Sequence, residues 1–221
     1  MLLCEDLLLL LTDDVSGKAA TSAEELRPLL AGALLTDLAL AGHVRLTEKG
    51  ETVRRNRVVV DPDLPATGDR LLAESYEVLA RKKSWSTTGA VSAVSGKKLD
   101  RRLYERLVQA EQVTADHERV LGIFPVIRHR QVDPAYEAGL SETLDRTLIG
   151  GLPPDDHTAA LIGLLHAGGL LIRTTDRGRG IDRAATKRRA KDILKQNWAA
   201  KAAYDVIQAN RSAAVVVATA G

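Results

Sequence analysis

The chain has 221 residues, 45% apolar but only 3% aromatic, so a sizeable core can be buried and must be packed from Leu, Val, Ala and Ile. So few rings disfavour a nucleic-acid module that stacks bases on aromatic platforms. The formal charge of +2 hides an asymmetry: residues 1–50 hold four Lys/Arg against eight Asp/Glu, whereas residues 173–201 hold ten against three, so any attraction for anions is local.

In chain order, residues 2–11 read as a short buried helix. They are not a secretion signal: Glu5 and Asp6 interrupt the run, no Lys or Arg precedes it, and Thr12-Asp13-Asp14 is no small-residue cleavage site. Leu7 to Leu11 is too short to span a bilayer, and no other stretch is long enough. Cys4 is the single cysteine, which excludes an internal disulfide and fits a reducing, cytoplasmic setting. Thr21 with Glu24 reads as a capping box, opening a helix to about Leu40 with a mostly apolar face from Leu26 to Ala41, interrupted by Asp37. Two strands, His43 to Leu46 and Arg57 to Val60, follow around a turn through Glu48 to Glu51.

Beyond the Asp61–Pro65 loop, Leu71 to Arg81 reads as a helix and residues 84–97 as a loop with a short helix. Asp100 to Ala110 is helical again. It precedes a second hairpin, with a polar turn expected at Asp116-His117 and the apolar run Val120 to Phe124 as its return strand. Asp133-Pro134 caps a helix to about Ile149, and Gly150-Gly151 with Pro153-Pro154 breaks it. Asp156 to Ala167 is apolar on most sides, a buried helix. Residues 173–181 read as a Gly/Arg loop, Asp182 caps a basic helix to about Gln196, and a last helix runs from about Trp198 to Ala218. Its uncharged end, Ala213 to Ala220, is expected to dock on the body. Together these predict one mainly α domain over residues 1–221. Its plan is a compact helical globule with a central apolar helix bundle and two short β-hairpins.

Enzyme signatures are weak. Ser16-Gly17-Lys18 and Ser95-Gly96-Lys97 lack the earlier glycine of a phosphate loop, those positions holding Thr12 and Val91. Gly178-x-Gly180 has no strand–turn–helix frame with a third glycine. None of His43, His117, His129, His157 and His166 pairs with another at metal-ligand spacing. No Gly-x-Ser-x-Gly is present, and Cys4 lies beside a leucine run where a buried thiol is inert. No catalytic residue, metal or cofactor is expected.

The basic stretches carry more. Arg177, Arg179, Arg183, Lys187, Arg188, Arg189 and Lys191 fall within fifteen residues. A solvated helix face is the plain explanation. The functional one is a patch for an anionic surface, at about 1 kcal/mol per basic residue near an anionic membrane, with Arg183, Lys187, Arg188 and Arg189 facing it. Arg128-His129-Arg130 falls in an expected loop before the Pro134 helix, where free N–H groups add to arginines around a phosphate. Two helix–hairpin units also suggest winged helices. The first helix carries only Arg27 against Glu24, Glu25 and Asp37, which argues against DNA; Arg101, Arg102 and Arg106 on the second leave the question open.

Several segments in their order resemble the Golgi phosphoprotein 3 family. They are Glu5 to Leu11, Leu34 to Val44, Leu107-Val108 through Val113-Thr114, Val120 to Phe124, Leu164 to Ala167, and Ala185 to Arg188. The resemblance implies a mostly helical globule that binds phosphatidylinositol 4-phosphate in a shallow basic pocket and acts as a non-enzymatic adaptor for glycosyltransferases. The Ala/Leu/Arg-rich chain without an extended N-terminal arm looks like a bacterial member. The family's tryptophan and arginine positions match Ser22 and Ala31, and its later basic positions match Tyr136 and Gly139. Arg27, Arg128 and Arg130 are the candidate substitutes for the headgroup. The family's subunit-joining hairpin is shortened to Gly150 to Pro154.

The leading expectation is therefore a cytoplasmic adaptor that binds a phosphoinositide or other anionic lipid from outside the membrane and has room for a protein cargo. The alternatives are a winged-helix-like DNA-binding regulator and a protein-interaction scaffold whose lipid site has decayed.

Overall fold

Leucine and alanine on nearly every side make residues 23–40 a helix that has to be surrounded. In the computed structural model this helix, α2 (Ala23–Leu40), buries Leu26, Leu29, Leu30, Leu34 and Leu38, each contributing about 1.5–3 kcal/mol of apolar transfer. The described residues are all but 14, 15, 54, 56, 65, 66, 97, 121–123, 197–200, 202, 203, 206 and 209–221.

Against α2 pack α1 (Leu3–Leu10), α3 (Arg70–Ala80), α4 (Thr87–Ser95), α5 (Leu99–Gln109) and α7 (Asp156–Gly168), while α6 (Pro134–Leu148), α8 (Leu171–Asp176) and α9 (Arg183–Gln196) pack on one another and on α7. The fold is mainly α, as the periodicities predict. At Gly168 a Cβ would come within 2.9 Å of the Leu29 side chain, so the glycine lets α7 approach α2.

Strands β1 (Val44–Leu46), β2 (Arg57–Val60) and β3 (Trp85–Ser86) form an antiparallel sheet in the order β1-β2-β3. Sequence reading misses β3, because two residues carry no period. The short helix expected within residues 84–97 is α4, where the Ser86 hydroxyl accepts the Gly89 N–H at 3.0 Å as a cap. A second cap shifts by one residue: Ser22, not Thr21, accepts the Glu25 N–H at the start of α2.

The second hairpin departs further. β4 (Val113–Val120) and β5 (Phe124–Gln131) pair antiparallel with Val113 opposite Gln131 and His117 opposite Ile127. Asp116 and His117 are thus mid-strand, and Arg128-His129-Arg130 belongs to β5, not to a loop. Asp116 faces the same side as Arg128 and Arg130, whereas His117 lies on the cavity side opposite Ile127, and two adjacent polar residues look like a turn in one dimension. Part of the stretch read as a Gly/Arg loop is α8. The expected last helix and its docked end fall largely outside the described residues. Among those described there, Ile207 is buried and Tyr204 stacks on His166 with centroids 5.6 Å apart.

Every residue of α1 is buried, so its first N–H groups need protein partners. Leu2 offers no side-chain cap. Instead Asp37 of α2 accepts the Leu3 N–H at 2.8 Å and the Cys4 N–H at 3.2 Å. Glu5 accepts from Arg106 Nε of α5 at 2.7 Å, and Arg106 Nη2 donates to Asp69 at 2.7 Å. Asp6 accepts the Tyr136 hydroxyl of α6 at 2.9 Å and lies 2.7 Å from His157 Nε2 of α7. Burial, then Asp37, pushes the Cys4 thiol up, which leaves it unreactive.

Burial also pushes the Asp37 carboxyl up to about 6, against the Leu3 and Cys4 N–H bonds. The hydrogen bond with Asp6 raises His157 above its ordinary value. Both groups hold a proton more tightly folded than unfolded. Asp37 therefore contributes fully below its ordinary 3.8 and loses that contribution as pH rises through about 6. His157 contributes fully below its ordinary 6.5 and loses that contribution above its raised value. In urea titrations the advantage of the native chain over Asp37→Asn should shrink between about pH 4 and about pH 7, and that over His157→Gln above about pH 6.5. Advantages that stay constant across these ranges would refute the assignment.

Candidate functional site

Arginines bind phosphate only if local carboxylates leave them free. Arg27, on the second turn of α2, donates from Nε to Asp100 of α5 at 3.1 Å. Arg128 and Arg130 are two apart on β5 and share one face of the hairpin. Arg128 Nε donates to Glu118, and its Nη1 donates to the Ser16 carbonyl at 2.6 Å. Arg130 Nη2 donates to Glu118 at 2.9 Å, and its Nη1 lies 3.5 Å from Asp116. The structure thus brings Arg128 and Arg130 together around one glutamate, with Arg27 at a separate aspartate.

The opposite hairpin face closes a cavity of about 610 Å³ against α2 and α5. Tyr104, Val108, Ala115, Ile127 and His129 line it, with Lys18, Arg101, Asp100 and Glu105 also on its walls. Tyr104 stacks on His129 at 3.7 Å between centroids and shares a hydrogen bond with Thr12 at 2.9 Å. Burial lowers His129, so the imidazole is neutral at ordinary pH. Gly17 sits in the left-handed region against β5, where a Cβ would meet the Arg128 Cβ at 2.9 Å. The first Ser-Gly-Lys is therefore a tight turn pinned to a strand.

The four positions matched to the family's pocket hold no cation. Ser22 caps α2, Ala31 is fully buried, Tyr136 donates to Asp6, and the side of Gly139 is open.

The basic helix is different. In α9, Thr186, Ala190 and Ile193 are buried, so at 100° per residue Lys187, Arg188 and Lys191 point outward. All three are exposed and make no ion pair among the described residues. Burial, then Lys191 and Lys187, holds His166 of α7 below its ordinary value, a sign of positive potential along this side. Arg183 is drawn back to Asp176 at 3.0 Å. Arg177 pairs with Glu137, and Arg179 grips Asp145 with both terminal nitrogens at 2.6 and 2.8 Å.

Arg189 has another role. Its Nε donates to the Thr147 carbonyl at 3.2 Å, and its Nη2 to those of Gly151 and Leu152 at 3.0 and 3.1 Å. It fixes the α6–α7 turn, which exposes Ile149 (53%) and Leu152 (43%). Sequence reasoning missed this pair, since an isolated leucine beside Gly-Gly and Pro-Pro reads only as a helix break. Replacing Arg189 by Ala should cost about 1–3 kcal/mol in denaturant unfolding, since carbonyls near the turn lose their donors. Unchanged stability would mean that water already serves those carbonyls.

A search of curated proteins finds no match to the chain. A family model described as Golgi phosphoprotein 3 (GPP34) matches residues 3–210. That span runs from α1 through α9, so the chain belongs to the Golgi phosphoprotein 3 family.

Proposed function

We propose that the chain is a non-enzymatic adaptor that docks on an anionic membrane surface through the exposed face of α9. One observation carries this reading: Lys187, Arg188 and Lys191 stand outward with no carboxylate partner among the described residues. Membership of the family supports it. Among the described residues no helix is long and apolar enough to cross a membrane, so contact through these helices is made from one side. The same proposal places its work in the cytoplasm, where Cys4 stays a thiol.

Selective capture of a phosphoinositide such as phosphatidylinositol 4-phosphate by Arg27, Arg128 and Arg130 has less support. Each already satisfies a carboxylate, and a headgroup has to displace Asp100 or Glu118 to reach them. The DNA-binding reading is weaker still. On α5, Arg101 is paired with Glu105, Arg102 with Glu74, and Arg106 with Glu5 and Asp69. A helix whose arginines are spent on intramolecular acids has little charge left for phosphates.

Flotation with vesicles tests the proposal. The chain should float with phosphatidylserine vesicles at low salt, stay behind with neutral ones, and be released as salt rises. Neutralising Lys187, Arg188 and Lys191 to Gln together should weaken retention by about a hundredfold, at about 1 kcal/mol per charge. Equal retention of this variant would sink the α9 assignment. Equal flotation with both vesicle types would sink the membrane reading.

A further inference from the structure

A second free basic surface lies at the corner where α3 runs into β3. Arg81, Lys82 and Lys83 follow α3 directly and are all exposed. A helix C-terminus explains one or two such cations, because they offset its dipole. It does not explain Arg57, which arrives from β2. Its Nε donates to Ser84 Oγ at 3.4 Å and its Nη2 to the Ser84 carbonyl at 3.3 Å. Exposed Arg55 stands two residues before it. Lys82 Nζ lies 4.1 Å from the centroid of Trp85, which holds the ammonium in place.

Among the described residues none of these five cations forms an ion pair. Glu51 is committed to Arg45, and Glu74 to Arg70 and Arg102, so of Glu51, Glu74 and Glu77 only the last offsets the five cations. Glu77, one turn before Arg81, makes no ion pair with it. This corner is therefore strongly cationic in a chain that elsewhere pairs most of its arginines.

We propose that the corner binds an acidic, extended segment of a partner polypeptide. β3 is an edge strand, with β2 on one side and no strand on the other among the described residues. An extended chain beside this two-residue edge meets few backbone groups and is held mainly by the guanidinium and ammonium groups around it. Bases do not fit as well. One face of Trp85 is covered by Lys82, and the indole N–H donates to the Leu79 carbonyl at 2.8 Å, so the ring offers no open platform. A bilayer does not fit either. No large apolar side chain is exposed at the corner, and α3, α4 and the sheet pack on α2 whereas α9 packs on α6, α7 and α8. A membrane against α9 leaves the corner turned to solvent. This last point rests on the α9 reading proposed above; the charge count and the free edge do not.

Fluorescence polarisation with a fluorescein-labelled Asp-Glu repeat peptide and the full chain tests the proposal. The peptide should bind at low salt, and a neutral Gln-Ser repeat should not. Replacing Arg81, Lys82 and Lys83 together by Gln should raise Kd by about tenfold, the sum expected for three exposed charges, with thermal unfolding unchanged. Arg57→Gln should weaken binding by a smaller factor. The Gln variant of Lys187, Arg188 and Lys191 should bind the peptide like the native chain while losing vesicles, which separates this site from the membrane reading. Absence of peptide binding, an unchanged Kd in the corner variant, or equal binding of the neutral peptide would overturn the proposal. So would corner-dependent binding of duplex DNA or phosphatidylserine vesicles in place of the peptide.

Discussion

A helix enclosed on every side cannot leave its first N–H groups to water, and α1 is such a helix. Its N-terminal donors are met by Asp37, a carboxylate from the middle of α2. That bond fixes where α1 starts and how it lies against α2. Once α1 is placed, Glu5 and Asp6 are also inside, and each needs partners from other helices. Arg106 comes from α5, Tyr136 from α6 and His157 from α7. The acidic N-terminal region thus acts as a hub of polar contacts within an apolar bundle. Removing one partner leaves a buried charge uncompensated, which costs more than the pair contributes.

The same logic shapes the surface. Carboxylates distributed along the chain take up most arginines in specific pairs, several of them two-pronged. Arg179 on Asp145 and Arg106 between Glu5 and Asp69 are of this kind. Among the described residues the two places where several exposed cations stand together without a carboxylate partner are the outer face of α9 and the corner between α3 and β3. These differ in character. The α9 face lies near a rigid turn that presents Ile149 and Leu152, suited to a soft interface. The corner is polar and lies beside a strand edge with no further strand among the described residues, which fits the extended charged partner proposed above. The proposed adaptor role calls for two such non-equivalent faces, so that one partner does not exclude the other.

Much of the fold was legible in the residues. Apolar periodicity marks α2, α3, α5 and α7, and Asp133 and Asp182 sit where their caps are found. The errors fall where local signals conflict with tertiary context. Asp116-His117 resembles a turn, but one hairpin face covers a cavity and the other meets water, so polar residues occur mid-strand. β3 is too short to show alternation, and its pairing with β2 exists only once the chain has folded back. The candidate site was less legible. The basic stretch 177–191 is obvious in sequence, yet Arg177, Arg179 and Arg183 are engaged by Glu137, Asp145 and Asp176, and Arg189 by carbonyls. Only Lys187, Arg188 and Lys191 stay outward and unpaired.

The amino-acid sequence by itself determined the helical class, the order of the elements, the burial of α1, α2 and α7, and the cationic character of α9, because these follow from composition and from periods a few residues long. Only the tertiary structure decided which cations are free. An arginine is neutralised by whichever carboxylate the fold places beside it, and Arg27 finds Asp100 across 73 residues while Arg106 finds Glu5 across 101. The interaction between two charges falls off with their separation in space, whatever their separation along the chain.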